Sequence, residues 1–116
     1  MAARTEKFFV SHFKPGAGTV DVTEERGYVR SYGNVKSGNQ ITVGIYRKGK
    51  NWVIVEKLSG LCIAQSKWKL DEAFQYCQDD DRIDRIFTII DTAQKYGQPG
   101  NKVYDCIQAI KQMESL

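Results

Sequence analysis

The sequence predicts an α+β domain: an antiparallel sheet of about four to six short strands, followed by two or three helices. Three observations predict it. Residues 1–69 carry runs of aromatic and β-branched side chains interrupted by Gly, Pro, Asn and Ser. Residues 70–116 carry apolar side chains at three- and four-residue spacing. The two patterns do not alternate, and strands first with helices after is the order of an α+β layer. In that arrangement the helices cover one sheet face, and the other face is left to water or to a partner. A chain of 116 residues is one domain by length. It buries roughly two thirds of its unfolded surface without needing metal or disulfide staples.

The elements follow in order. The run KFFVSHF (7–13) stops at the turn signal KPGAG. TVDVT (19–23) alternates with period two, and GYVRSYG (27–33) is bounded by glycines. The loop NVKSGN (34–39) follows, and ITVGIY (41–46) sets Ile41, Val43 and Ile45 on one face. NWVIVEK (51–57) is the strongest strand, LSG turns it, and LCIAQ (61–65) runs back to complete a meander. Leu70, Ala73, Phe74 and Cys77 then keep helical spacing, with Asp71 and Glu72 favouring the helix dipole in the first turn. QDDD (78–81) breaks that helix or caps the next one. The second helix has the stripe Ile83, Ile86, Phe87, Ile90 and Ala93, with Lys95 and Gly97 as its stop. Asn101 is an N-cap for a third helix with Val103, Cys106, Ile107, Ile110 and Met113 on one stripe. The expected core sets Phe74, Ile86, Phe87, Ile90, Ile107 and Ile110 against Ile41, Val43 and Ile45.

Hydrophobic and charged fractions of 41% and 27% are those of an ordinary globular protein. No apolar run approaches the roughly 18 residues that span a bilayer, and MAARTEK lacks the apolar segment of a secretory signal. Cys62, Cys77 and Cys106 are an odd, widely spaced set without a C-x-x-C. The expectation is three reduced, buried thiols in a cytoplasmic protein without metal or cofactor. The net charge of +3 is unevenly placed. Residues 1–69 hold 12 Lys and Arg against 5 Asp and Glu, a net of +7; residues 70–116 hold 5 against 9, a net of −4.

Catalytic patterns are sparse. His12 is the one histidine, and it has no neighbour in sequence with which to activate a nucleophile. The carboxylates Asp79, Asp80, Asp81 and Asp84 lack the spaced ligands, central Gly and distal Glu of a calcium loop, and Arg82 and Arg85 sit among them. PGAG (15–18) has no Gly-Lys-Ser/Thr and precedes a strand, so it is a turn rather than a phosphate loop. Glu24 and Glu25 are adjacent and point to opposite faces of an extended chain. A non-enzymatic protein is expected.

The basic strand region offers more. Arg26, Arg30, Arg47, Lys48, Lys50, Lys67 and Lys69 are interleaved with Tyr28, Tyr46, Trp52 and Trp68. Cations that replace phosphate counterions, with planar groups for stacking, are what a nucleic-acid surface needs. Arg47, Lys48, Lys50 and Trp52, at the turn inside IYRKGKNWVIVEK, form the leading contact patch, with Arg26, Arg30, Lys67 and Lys69 around it. The expected partner is nucleic acid or a protein that processes it. The alternative is a stand-alone inhibitor or adaptor of the kind encoded by phages and mobile elements. It would dock its acidic surface, Asp79, Asp80, Asp81 and Asp84, into a basic groove. Residues 41–78, three short strands with a basic first turn and then a helix opening KLDEAF, resemble in layout the AP2-type and integrase arm-binding domains. The resemblance covers about a third of the chain, rests on layout rather than matched motif residues, and implies a sheet that enters the DNA major groove.

Overall fold

The structure is a computed structural model that describes residues 4–116, so the first three residues of MAARTEK lie outside it. Five strands come first: β1 (Glu6–Lys14), β2 (Thr19–Gly33), β3 (Gln40–Lys48), β4 (Asn51–Glu56) and β5 (Cys62–Ser66). Three helices follow: α1 (Leu70–Tyr76), α2 (Asp80–Tyr96) and α3 (Lys102–Glu114). The strands form one antiparallel sheet in chain order. This is the expected α+β architecture.

One strand is longer than its sequence suggests. The segments 19–23 and 27–33 belong to a single 15-residue β2. As far as Gly27 this strand pairs with β1; from Tyr28 onward it pairs with β3. Gly27 is the hinge between the two partnerships. A Cβ there would lie 2.0 Å from the Ile45 carbonyl oxygen, so only glycine lets the strands approach this closely.

The register sorts side chains onto two faces. Ile41, Val43, Ile45 and Ile54 occupy the first face and pack with Ala73, Cys77 and Ile83 of the helices. Phe74, Ile86 and Phe87 lie against this cluster, as the stripes predict. Ile90 and Ile107 do not reach it. With Ala93 and Val103 they join α2 to α3 instead. Helix α3 lies mainly along β1 and β2, and Ile110 approaches Gly60 in the turn after β4.

The second face is not left open. Tyr46, Val53 and Val55 are buried there beneath Phe8 and Val10 of β1. The Phe8 ring lies so near Gly44 that a Cβ would come within 2.8 Å of three ring carbons, and it meets the Tyr46 ring edge-on at 5.9 Å. Ser11 fastens β1 in place: its N–H donates to the Gly60 carbonyl at 2.9 Å and its hydroxyl to the Ser59 carbonyl at 2.6 Å. Burying an aromatic or branched side chain stabilises by roughly 1.5–3 kcal/mol, so Phe8 and Val10 make covering this face favourable. Parts of this face stay at the surface: the far end, where Ser31 and Thr42 share a hydroxyl hydrogen bond, and the β5 edge, where Gln65 and Cys62 are exposed.

Glu56 is buried by a purely local device. Its carboxylate accepts from the N–H groups of Leu58 and Ser59 at 2.9 and 2.8 Å and closes the turn into β5. The cysteines divide. Cys77 and Cys106 are buried as expected, but Cys62 is exposed, which corrects the expectation of three buried thiols. Cys62 precedes an irregularity in the β4–β5 ladder, where Val55 pairs with Cys62 but Ile54 pairs with Ala64. The intervening Ile63 turns inward and leaves Cys62 outside.

Candidate binding surface at the β3–β4 tip

Strands β3 and β4 end in a two-residue turn, with Lys48 paired to Asn51. Gly49 takes a positive φ of 61° at the first central position and Lys50 does not, the pattern of a hairpin turn that follows the strand twist. Arg47 and Trp52 are direct cross-strand partners. The Arg47 guanidinium stands 5.9 Å from the centre of the Trp52 ring, and its Nε donates to the Gly49 carbonyl at 3.2 Å. Trp52 is half-buried, with its ring 6.3 Å from that of Tyr28. Its main work is therefore to seat Arg47 over the first-face core.

The strand register gathers more charge here. Trp52 pairs with Ser66, so the chain leaves β5 beside the tip, carrying Lys67 and Lys69. Arg47, Lys48, Lys50, Lys67 and Lys69 are all exposed at this one end of the sheet. Among the described residues the ion pairs are Lys7–Glu24, Lys14–Asp21 and Lys95–Asp91, and none of the five cations takes part. Glu72 stands next to this group, but its carboxylate accepts from the Lys69 backbone N–H at 2.9 Å as part of the α1 start.

Arg26 and Arg30 are placed differently. Arg26 lies before the Gly27 hinge, opposite Lys7, and its guanidinium donates to the Thr5 carbonyl at 3.3 Å. Arg30 lies inside the sheet opposite Val43. Its guanidinium packs 5.6 Å from the Tyr28 ring centre and 5.2 Å from that of Phe74, and donates to the Val29 carbonyl. Arg30 thus helps to hold α1 on the sheet.

The four carboxylates at the start of α2, from its N-cap Asp79 to Asp84, also separate by role. Asp79 is the N-cap and accepts from the Arg82 N–H at 2.9 Å. Asp80 and Asp81 are exposed in the first turn, where the helix dipole favours them. Asp84 is a clamp. It accepts from the Ser37 hydroxyl at 2.7 Å and from the side-chain amides of Asn34 and Asn39 at 2.9 and 3.0 Å. The Ser37 hydrogen bond above all, with Asn39 and Asn34 outweighing partial desolvation, holds its carboxyl below the usual carboxylate range. Asp84 ties α2 to the 34–39 loop, at the opposite end of β3 from the basic tip. The stack of Arg82 on Tyr76 at 3.7 Å, beside Trp68 at 5.0 Å from Tyr76, is a second feature without a local sequence signal.

His12 Nε2 lies 3.0 Å from the Thr23 hydroxyl on the neighbouring strand. Burial raises all three thiol pKa values, that of Cys77 to about 11. An activated thiolate needs the opposite shift. The chain matches no family model, no curated protein and no solved structure. The three-strand meander and helix that resemble small DNA readers are present as β3–β5 and α1. However, Phe8 and Val10 cover the centre of the sheet face turned away from the helices, over Tyr46, Val53 and Val55.

Proposed function

We propose that this protein is a non-enzymatic binding protein that contacts nucleic acid, or a protein that processes it, through the basic β3–β4 tip and the adjoining 67–69 segment. The observation that carries the reading is the convergence of five exposed cations without an ion-pair partner among the described residues. Unpaired cations gathered on one small surface repel one another, and phosphates relieve that repulsion while releasing their own counterions. A two-residue hairpin tip is narrow enough for the major groove, which admits a two-stranded ribbon. Trp52 supports Arg47 from behind, so the mode of contact is phosphate binding by a stiff cationic tip rather than base stacking on an open indole.

The test is fluorescence anisotropy with labelled duplex and single-stranded oligonucleotides at low ionic strength. The triple variant Arg47→Glu, Lys48→Glu, Lys50→Glu should lose binding while keeping the wild-type circular dichroism spectrum. Reversal of Asp80 and Asp81 to Lys should leave binding intact. The inhibitor or adaptor reading, in which the acidic helical surface docks into a basic groove, retains Asp80 and Asp81 as exposed carboxylates; Asp79 and Asp84 are already engaged within the fold. Loss of partner capture in the Asp80, Asp81 variant alone would favour that reading.

A further inference from the structure

Between α2, the end of α1 and the chain that enters β5 lies a hollow of about 290 Å³. It adjoins Cys62 and Ile63, whereas the basic tip adjoins Ser66 at the other end of β5. Leu61, Ile63, Ile86, Ile89 and Ile90 give it apolar walls. Ile89, 50% exposed, is one lip of it. Two guanidinium side chains, Arg82 and Arg85, border the same space. Neither takes part in an ion pair among the described residues, although Asp81 stands one turn before Arg85. Arg82 is held in place: its guanidinium lies 3.7 Å from the Tyr76 ring centre and donates to the Tyr76 carbonyl. That contact uses one of its five side-chain N–H donors. Glu56 supplies a carboxylate to the wall, but its two oxygens accept from the backbone N–H groups of Leu58 and Ser59.

We propose that this hollow binds a small organic monoanion, a carboxylate held by Arg82 and Arg85 with its apolar body laid against the isoleucines. Apolar walls with a few convergent polar groups are what small-molecule sites have in common. Charge complementarity selects the head group. Arg82 and Arg85 are three residues apart on α2 and so stand side by side on the helix. Cations without an internal partner attract an anion, and the guanidinium fork matches the two oxygens of a carboxylate. The same two charges repel a cationic ligand. Glu56 in the wall, with Asp80 and Asp81 exposed at the start of the same helix, sets the opposite limit: one negative charge is favoured over the two of a phosphate monoester. Volume sets the body. At roughly 30 Å³ per non-hydrogen atom, the share of one water molecule in the liquid, the space takes about ten such atoms. That is the size of octanoate, and too small for a nucleotide. The site accounts for a half-exposed isoleucine and two unpaired arginines in one place, and it is separate from the phosphate-binding tip.

Titration of the full chain, labelled with carbon-13 at its isoleucine methyl groups, tests the proposal by NMR. Sodium octanoate is the probe, with octanol, octylammonium and hexanoate for comparison. The methyl signals of Ile63, Ile86 and Ile89 should shift together and saturate with a Kd of about 10 µM to 1 mM, the range open to so few atoms. Ile41 and Ile107, which do not line the hollow, should keep their positions. Octanol and octylammonium should bind at least about tenfold more weakly, because neither offers a carboxylate to the guanidinium groups. Hexanoate should bind about 15-fold more weakly, about fourfold for each methylene lost. Arg85→Gln, whose native side chain is exposed, should melt at the wild-type temperature and bind octanoate no better than wild type binds octanol. No saturable shift at about 10 mM octanoate, tenfold above the weakest Kd expected, would overturn the proposal. So would octanol or octylammonium binding as tightly as octanoate, an Arg85→Gln protein with undiminished affinity, or shifts at Ile41 and Ile107 in place of the other three.

Discussion

Replacing Gly27 with Ala tests the account of how β2 changes partner. The added Cβ would sit 2.0 Å from the Ile45 oxygen, 2.9 Å from its carbonyl carbon and 3.1 Å from the Tyr46 Cα. All three are backbone atoms of β3, so no side chain can swing aside. Relief requires β2 and β3 to part by more than 1 Å, about the gap to ordinary contact. That movement would also lift Phe8 off Gly44 and Tyr46, because β1 is carried by the same stretch of β2. Overpacking typically costs about 1–3 kcal/mol, and an obstacle made of backbone belongs at the upper end, about 3 kcal/mol. With an unfolding entropy of about 2.1 cal/mol/K per residue, a chain of this length should lose about 12 °C in Tm. Differential scanning calorimetry reads this directly. Gly16→Ala is the control, since a Cβ there meets nothing within 4 Å and should shift Tm by little. A Gly27→Ala protein melting within about 2 °C of wild type would refute the hinge, because such a shift corresponds to under 1 kcal/mol.

Three further outcomes follow from the same geometry. Phe8→Ala should cost about 3–5 kcal/mol by chemical denaturation, because it uncovers the Tyr46, Val53 and Val55 face; a loss under 1 kcal/mol would mean that β1 does not cover it. Native protein should take up one equivalent of thiol reagent, at Cys62, with Cys77 and Cys106 reacting only on unfolding; mass spectrometry of the labelled peptides decides between one site and three. Asp84→Ala should speed amide exchange across residues 34–39. Because the folded carboxyl titrates below its unfolded value, the stability it contributes is present above the unfolded pKa, near 3.8, and is lost as pH falls through the folded one. The Tm gap between wild type and Asp84→Ala should therefore narrow below about pH 4, and a gap constant down to about pH 2 would contradict the clamp.

The three apolar stripes and the β3–β5 meander were legible because each rests on a local period that burial enforces. Phe74, Ile86 and Phe87 meet Ile41, Val43 and Ile45 as the spacing implies. What was not legible depends on contacts distant in sequence. Glu24 to Arg26 read as a break between two strands because nothing local reveals that Gly27 is a hinge inside one strand. KFFVSHF reads as an aromatic strand, but that its Phe8 would roof Gly44 needs the register of two other strands. Asp84 reads as one more charge in an acidic run, although Ser37 and Asn39 are 47 and 45 residues away. At the candidate surface, the composition of the basic tip was plain from IYRKGKNWVIVEK. The pairing of Trp52 with Ser66, which brings Lys67 and Lys69 to it, was not, and neither was the packing of Arg30 between Tyr28 and Phe74.

If the cationic tip binds phosphates, as proposed, its affinity must fall with salt. Affinity for a duplex oligonucleotide should be measured by anisotropy at a series of salt concentrations, for wild type and for single Ala variants of Arg47, Lys48, Lys50, Lys67 and Lys69. Log affinity should fall linearly with log salt, with a slope that flattens by about 0.9 for each phosphate contact removed. Wild type that shows no salt-sensitive binding at low ionic strength, or tip variants whose slopes match wild type, would contradict it.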